Sequence, residues 1–107
     1  RGMLSTIYAR LTREMTWDQI RQYLMDAYKD RFFIRILPQG QFPSTAHVRG
    51  TNFCDIGFWI DEKSERIIIV SAIDNILKGA SGQAVQNMNI MFHIDEKTGL
   101  DMIPGAI

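Results

Sequence analysis

The sequence predicts an α+β fold in which helices cover a mainly antiparallel sheet. Three observations carry this prediction: a well-delimited helix near the start, two apolar strands joined by a polar turn in the middle, and a second helical segment near the end. The 107 residues suffice for one small domain or for part of a larger one. Hydrophobic residues form 46% of the chain, which is typical of a folded globular protein.

The first strand and the first helix have clear sequence signals. Residues 3–11, MLSTIYARL, are rich in strand formers and predict a strand. Thr16 and Gln19 then have the spacing of a capping box, in which each side chain accepts a hydrogen bond from the other residue's exposed backbone N–H. Apolar residues at helical spacing follow and predict one buried stripe, formed by Trp17, Ile20, Leu24, Ala27 and Tyr28.

The next segment predicts a short strand and a loop. FFIRILP is expected to be a strand that ends at Pro38, because proline has no N–H to donate to a sheet. Residues 39–50 contain Gly40, Pro43 and Ser44, and this composition predicts a loop.

A hairpin is predicted after this loop. In TNFCDIGFWI, alternation places Cys54, Ile56, Phe58 and Ile60 on one face of a strand. DEKSE is a polar turn, and the almost continuously apolar RIIIVSAI that follows predicts a strand buried on both sides.

The last predicted element is a helix that begins near Gly79 or Ala80. Its apolar residues fall on one side, namely Ala80, Ala84, Val85, Met88, Met91 and Phe92. After Asp95 the residues Gly99, Pro104 and Gly105 predict an extended tail.

Charge balance and the absence of long apolar runs exclude several classes of partner. Lys and Arg number 12, as do Asp and Glu, so no net field attracts nucleic acid or an anionic membrane. No apolar run approaches the roughly 18 residues that a membrane span requires, and no secretory leader is visible. The single cysteine rules out an internal disulfide and suits a reducing compartment, so we expect a cytoplasmic protein.

The residues that most often carry catalysis favour structural interpretations here. Cys54 shares its face with apolar residues and has Asp55 beside it, so we predict a core cysteine rather than a thiolate nucleophile. His47 and His93 have no partner at metal-ligand spacing, and we predict no metal site.

Two short segments remain open between a binding and a structural interpretation. In LKGASGQA, a helix start with small residues offers N–H groups to an anion or a carboxamide, or allows close helix packing. In VRGTN, Arg49 is a candidate for clamping a carboxylate or phosphate, or is a solvated loop arginine.

Three stretches resemble a known family: RGMLSTIY, HVRGTNFCDIGF, and IIIVSAIDNILKGASGQAVQNMNIMF. Together they are similar to the C-terminal part of N-acetyl-gamma-glutamyl-phosphate reductases, enzymes of arginine biosynthesis. Glyceraldehyde-phosphate and aspartate-semialdehyde dehydrogenases resemble this family more distantly. The resemblance implies a glyceraldehyde-phosphate dehydrogenase-like C-terminal domain, with a last helix that returns to a Rossmann domain. It divides the chain into a partial substrate-binding and dimerisation domain, residues 1–75, and a helix and tail, residues 76–107, that pack on the nucleotide-binding domain.

The reaction implied by the resemblance is the NADPH-dependent reduction of N-acetyl-glutamyl phosphate to the semialdehyde, with release of phosphate. In the family a cysteine attacks the acyl phosphate, and the resulting thioester takes hydride with help from a histidine base. The GCYP and HRH-x-x-E motifs that carry these residues are absent from this sequence and belong upstream of it. The resemblance therefore implies no catalytic residue in this chain and an inactive fragment, so Cys54, His47 and His93 inherit no role.

Other roles can be carried over residue by residue. The resemblance makes Asn75, Lys78 and Gly79 candidates for the nicotinamide side of an NADP(H) pocket. Arg1 becomes a candidate anion contact for the substrate, to which we add Arg49. Residues 67–70 resemble part of a subunit-pairing surface, so the expected partners are the Rossmann domain and a second copy in an isologous homo-oligomer. His93 departs from the pattern, where we expect a small residue such as glycine.

Two alternatives of other classes remain. One is a free-standing dimerisation or regulatory module that forms a stable oligomer and binds no nicotinamide. The other is a small ligand-binding domain of ferredoxin-like type that binds acidic metabolites through Arg49.

Overall fold

The computed structural model describes residues 1–103, so Pro104 and Gly105 of the predicted tail lie outside the described residues. A π-helical turn, Leu77–Ser81, leads directly into the last helix. In chain order the strands and α-helices are β1 (Met3–Arg10), α1 (Trp17–Ala27), β2 (Ile34–Ile36), α2 (Thr45–Val48), β3 (Cys54–Asp61), β4 (Arg66–Ile73) and α3 (Gly82–Met91).

The four strands form one mixed sheet in the order β1-β4-β3-β2. Strand β4 pairs antiparallel with β1 and with β3 along its whole length, whereas the short β2 runs parallel to β3. The prediction of a mainly antiparallel sheet with helices is confirmed. The strand predicted in FFIRILP is only three residues long, because a turn at Arg31 delivers the chain to Ile34 and Pro38 ends the pairing.

Residues 39–50 are not purely a loop, since they contain the single helical turn α2. Ser44 caps this turn, and its hydroxyl accepts a hydrogen bond from the Ala46 amide at 3.3 Å. The sequence contained this signal, because serine is a favoured residue immediately before a helix.

Helix α1 and the inner face of the hairpin form the main core. Ile20, Phe58 and Ile67 are buried together, and the Trp17 ring stacks on Phe58 with 4.9 Å between centroids. The predicted capping box is present, because Thr16 and Gln19 exchange side chain to backbone hydrogen bonds of 2.9 and 3.2 Å.

The buried stripe of α1 is one turn shorter than predicted. Ala27 and Tyr28 are exposed, because the helix ends there and the chain turns away towards β2.

The last helical segment differs from its prediction in where it starts and which face it buries. Gly79 and Ala80 lie inside the π-helical turn, and α3 itself begins at Gly82. Its buried residues are Gly82, Gln86 and Asn89. The predicted apolar side faces outward, and its exposed members are Ala80, Ala84, Met88, Met91 and Phe92.

The segment after α3 turns back on itself and is not extended. Backbone hydrogen bonds join Thr98 to Asp95 and Leu100 to Lys97, and the Leu100 side chain is buried. Within residues 1–103, no helix has the length and apolar character that crossing a membrane requires.

Candidate functional site

Three separate segments of the chain meet at the carboxylate of Asp74, directly after β4. The Arg1 guanidinium lies 2.7 Å from Oδ2, and the Gly50 amide donates to the same oxygen at 2.8 Å. The amides of Ile76 and Leu77 donate to Oδ1 at 2.9 and 3.3 Å. Asp74 thus joins the chain start, the segment after α2 and the start of the closing helical segment.

The environment of Asp74 keeps its carboxylate ionised. The side chain has no solvent exposure, and burial by itself would raise its pKa. Hydrogen bonds from Arg1 and from the amides of Gly50, Ile76 and Leu77 outweigh this effect and hold the pKa of Asp74 well below its usual range. The helix start in LKGASGQA therefore already holds an anion, the carboxylate of its own chain.

Arg1 is held along one edge of its guanidinium. Its Nε donates to Asp74 at 2.9 Å, and Nη2 lies 2.7 Å from the same oxygen. The side chain is 35% exposed. A guanidinium has a second bidentate edge, formed by Nη1 and Nη2, which Asp74 does not occupy. The contact with Asp74 thus uses one edge of the Arg1 guanidinium and fixes the direction of the other.

Asn75 is tied to the same chain start. Its Oδ1 accepts a hydrogen bond of 2.7 Å from the Gly2 amide, which leaves the Nδ2 group as the donor end of this side chain. Gly79 lies one turn further on, and its amide donates to the Asp74 carbonyl at 3.1 Å.

Arg49 sits beside Gly50 at the end of α2 and is half-buried. Gly50 has a φ of +75°, a conformation that glycine adopts without strain, and this turn delivers its amide to Asp74. Within residues 1–103 the Arg49 guanidinium makes no hydrogen bond or ion pair. The backbone beside Arg49 is therefore fixed by Asp74, whereas the Arg49 side chain is not held by a polar contact within residues 1–103.

The glycines of the segment 77–84 have different roles. A Cβ on Gly82 would overlap Oδ1 of Asn52 and come within 2.8 Å of the Leu77 carbonyl, so close packing requires glycine there. A Cβ on Gly79 would meet only ordinary contacts, the nearest being Ile73 at 3.4 Å. Close packing thus explains Gly82 and not Gly79.

Lys78 points inward, into a polar cluster. Its Nζ donates to Oε1 of Gln86 at 2.7 Å and lies 5.5 Å from the centre of the Phe33 ring. Burial lowers the pKa of Lys78, against the opposing effects of Cys54 and Glu96.

Cys54 is half-buried. Burial raises the pKa of its thiol and Asp55 adds to this effect, while Lys78 opposes it. The sequence identified Asp55 as the neighbouring charge but gave no sign of Lys78, which is distant in sequence. The raised pKa agrees with a non-nucleophilic cysteine.

The two histidines lie apart from this cluster. His47, in α2, and His93, after α3, are both exposed. Within residues 1–103, no group of three or more His, Cys, Asp or Glu side chains is arranged to hold a metal ion.

Sequence analysis missed three residues of this region, Asp74, Asn52 and Gln86. Asp74 precedes a helical segment, where aspartate often caps the free N–H groups, and that signal was available. Gly82, Gln86 and Asn89 recur at helical spacing, which marks a small and polar buried face rather than an apolar one. Asn52 had no local signal, because its partner is 34 residues away.

The first 75 residues of this chain match a known protein family. The family described as the semialdehyde dehydrogenase dimerisation domain matches residues 1–75. The chain belongs to this family. Its fold agrees, since aspartate semialdehyde dehydrogenase II of Vibrio cholerae, in the structure complexed with ASA, superposes with a TM-score of 0.66. That superposition covers 86% of this chain and 27% of the other at 20% identity.

The similar curated relatives are N-acetyl-gamma-glutamyl-phosphate reductases. The protein from Desulforapulum autotrophicum is 64% identical over the whole chain, and the one from Desulfotalea psychrophila is 55% identical over 97% of it. The chain spans only about 30% of the length of these relatives, in their C-terminal part. The resemblance stated from the sequence is thereby confirmed at the level of the family, an oxidoreductase family.

Proposed function

We propose that this chain is the C-terminal part of an NADPH-dependent reductase that converts N-acetyl-glutamyl 5-phosphate to the 5-semialdehyde in arginine biosynthesis. The single observation that carries the proposal is the meeting of the candidate segments at Asp74. A buried carboxylate holds the Arg1 segment, the Arg49–Gly50 segment and the Asn75–Gly79 segment together. The 64% identity to a reductase gives this arrangement its chemical interpretation.

On the substrate side we assign anion binding to Arg1 and Arg49. Acyl phosphates and carboxylates are planar or forked anions that a guanidinium binds through two parallel N–H donors. Asp74 contacts one edge of the Arg1 guanidinium and leaves the other edge for the substrate. The Arg49 guanidinium makes no hydrogen bond or ion pair within residues 1–103. Asp74 restricts the rotamers of the Arg1 side chain before the substrate binds. Less conformational entropy is therefore lost on substrate binding.

On the cofactor side we assign Asn75, Lys78 and Gly79 to the nicotinamide end of NADP(H). The donor set fits this group, because the Asn75 Nδ2 and the Lys78 ammonium are donors and a carboxamide oxygen is an acceptor. Gly79 suits a close approach, since its small size is not required by packing within the chain. When bound, NADPH supplies the hydride, while the residues of this chain orient it and exclude water.

The nucleophilic cysteine and the histidine base are assigned to the remaining part of the reductase. Cys54 is unsuited to the first role, because burial raises the pKa of its thiol. The exposed stripe of α3, formed by Ala84, Met88, Met91 and Phe92, is assigned to contact with the nucleotide-binding Rossmann domain.

For subunit pairing we assign the outer face of the sheet. Strand register places Tyr8, Ile68 and Trp59 in one row across three strands, and Tyr8 and Trp59 are 64% and 53% exposed. Of the predicted stretch 67–70, Ile67 and Ile69 instead pack towards α1. An apolar row on an open sheet face favours a second copy of the same face.

A hybrid reductase tests the proposal. In this protein the chain replaces the matching C-terminal segment of the Desulforapulum autotrophicum reductase, and phosphate-dependent oxidation of the semialdehyde is followed by NADPH absorbance. The proposal expects turnover within about tenfold of the parent enzyme, given the shared residues. The control replaces the same segment with this chain carrying Arg1→Met, which should fold and lose most of the activity. A folded hybrid of parental size without turnover would contradict the proposal.

A further inference from the structure

A buried polar cluster joins the Asn52 segment to the closing helix through one side chain, Gln86. Its Oε1 accepts from Lys78 Nζ at 2.7 Å and from Asn52 Nδ2 at 3.0 Å. Its Nε2 donates to Glu96 Oε2 at 3.1 Å. The Gln86 amide therefore makes three hydrogen bonds, two through its oxygen and one through its nitrogen.

The chemistry of the neighbours fixes which way the Gln86 amide points. A lysine ammonium only donates and a glutamate carboxylate only accepts, so Oε1 must face Lys78 and Nε2 must face Glu96. Asn52 then has to present its Nδ2 to Oε1. Its own Oδ1 is left buried with no hydrogen-bond partner within residues 1–103.

This unpaired acceptor makes the arrangement of the cluster energetically costly. A buried acceptor without a partner costs about 1–3 kcal/mol, and the Asn52 side chain is completely buried. Gly82 adds a constraint, because any larger residue would overlap that same oxygen. The cluster thus keeps the hydrogen bond from Lys78 to Gln86, at 2.7 Å, while the Oδ1 of Asn52 has no partner within residues 1–103. The other N–H donors of the Lys78 ammonium are not used by Gln86.

We infer that Gln86 is a positioning residue that holds the Lys78 ammonium in place and couples it, through Asn52, to the segment that carries Arg49. This inference rests on the proposed function, since it adds a residue to the cofactor side of that site. Gln86 is buried and does not contact the nicotinamide itself. Its effect passes through Lys78, and Glu96 fixes its orientation.

Four variants separate this role from simple packing. Gln86→Met keeps the length of the side chain and removes both amide atoms. Gln86→Glu places two carboxylates face to face, and Gln86→Glu combined with Glu96→Gln restores one donor and one acceptor with unchanged net charge. Gln83→Met is the matched control, because Gln83 is in the same helix and, within residues 1–103, its side chain forms a hydrogen bond with Asn87 alone.

The first measurement is the alkylation rate of Cys54 by iodoacetamide in the hybrid reductase, followed by mass spectrometry of the peptide that contains Cys54. Lys78 favours the thiolate of Cys54, so release of Lys78 should slow alkylation about threefold, as Lys78→Met should. Loosening of the fold would expose the thiol and speed the reaction. The sign therefore separates loss of positioning from loss of packing.

The second measurement is the steady-state kinetics of the hybrid reductase. Gln86→Met should raise the KM for NADP about tenfold and leave kcat within about twofold, because a held cation binds ground and transition states alike. The double variant should return both the KM and the alkylation rate to within about twofold of the unsubstituted protein. Gln83→Met should change neither.

The outcomes distinguish the two hypotheses. Slower alkylation in Gln86→Met supports positioning even if the unsubstituted hybrid has no turnover, which would contradict the proposed function alone. An active hybrid with equal alkylation rates for Gln86→Met and Gln83→Met overturns positioning alone. If Gln86→Met does not fold, equal alkylation rates in Gln86→Glu and in the double variant overturn it.

Discussion

The guanidinium of Arg1 lies 2.7 Å from the carboxylate of Asp74, and this ion pair joins residues 73 positions apart. It brings the start of β1 against the end of β4, where the backbone leaves the sheet for the closing helical segment. Because Asp74 also binds the Gly50 amide, one carboxylate sets the relative positions of both arginines that we assign to the substrate.

Replacing Asp74 with Asn should destabilise the chain by about 2 kcal/mol at neutral pH. Loss of a buried pair costs roughly 3–5 kcal/mol, reduced here because Arg1 is one-third exposed. The folded-state pKa of Asp74 is depressed, so its contribution is complete above the unfolded value of about 3.9 and is lost as pH falls through the folded value.

Urea unfolding at several pH values measures this effect. The difference between the wild-type protein and Asp74→Asn should be constant at neutral pH and shrink below about pH 4. Asp101→Asn, at an exposed position, is the control and should change stability little. A difference that persists undiminished in acid would contradict the assignment.

Gly82→Ala should destabilise the chain by about 2 kcal/mol, because its Cβ would overlap Asn52 and press on the Leu77 carbonyl. Gly79→Ala is the matched control, since the same atom there meets only ordinary contacts. It should be neutral or stabilise by about 0.5 kcal/mol through helix propensity. Thermal unfolding of both variants checks the contrast, and equal losses would argue against close packing at Gly82.

His93→Gly should stabilise the chain by about 0.5–1 kcal/mol. His93 has a φ of +56°, and the amides of His93 and Ile94 donate to the carbonyls of Ile90 and Asn89. This pattern is a Schellman motif, which favours glycine at the left-handed position. Met88→Gly, within the same helix, should instead cost about 1 kcal/mol, so opposite signs in thermal unfolding are the expected result.

Trp59→Glu should weaken self-association of the chain. Trp59 belongs to the exposed apolar row on the outer sheet face, and a charge there would be desolvated in a symmetric contact. Tyr23→Glu is the control, because Tyr23 is similarly exposed, at 57%, but lies on α1. Sedimentation of the three proteins measures the effect, and unchanged association of Trp59→Glu would place the contact elsewhere.

Local signals predicted much of the fold. Capping at Thr16, alternation in β3 and the apolar run of β4 depend on neighbouring residues, and the structure contains all three elements. The parallel edge strand β2 and the polar face of α3 depend on contacts far apart in sequence. Propensity cannot reveal such contacts, which is why the apolar side of α3 was identified correctly while the face it buries was not.

The candidate site was less accessible to sequence analysis than the fold. The resemblance pointed to Arg1, Asn75, Lys78 and Gly79, and their binding roles stay predictions. The residues that hold them, Asp74 and Gln86, act through partners up to 73 positions away. The division of the chain at residue 75 also stays a prediction.

Turnover of the hybrid reductase carrying Cys54→Ser shows whether the reactive thiol lies outside this chain. We expect a rate within about twofold of the hybrid with Cys54, since a thiol with a raised pKa is a poor nucleophile. Complete loss of turnover in a hybrid that keeps its fold and subunit number would contradict it.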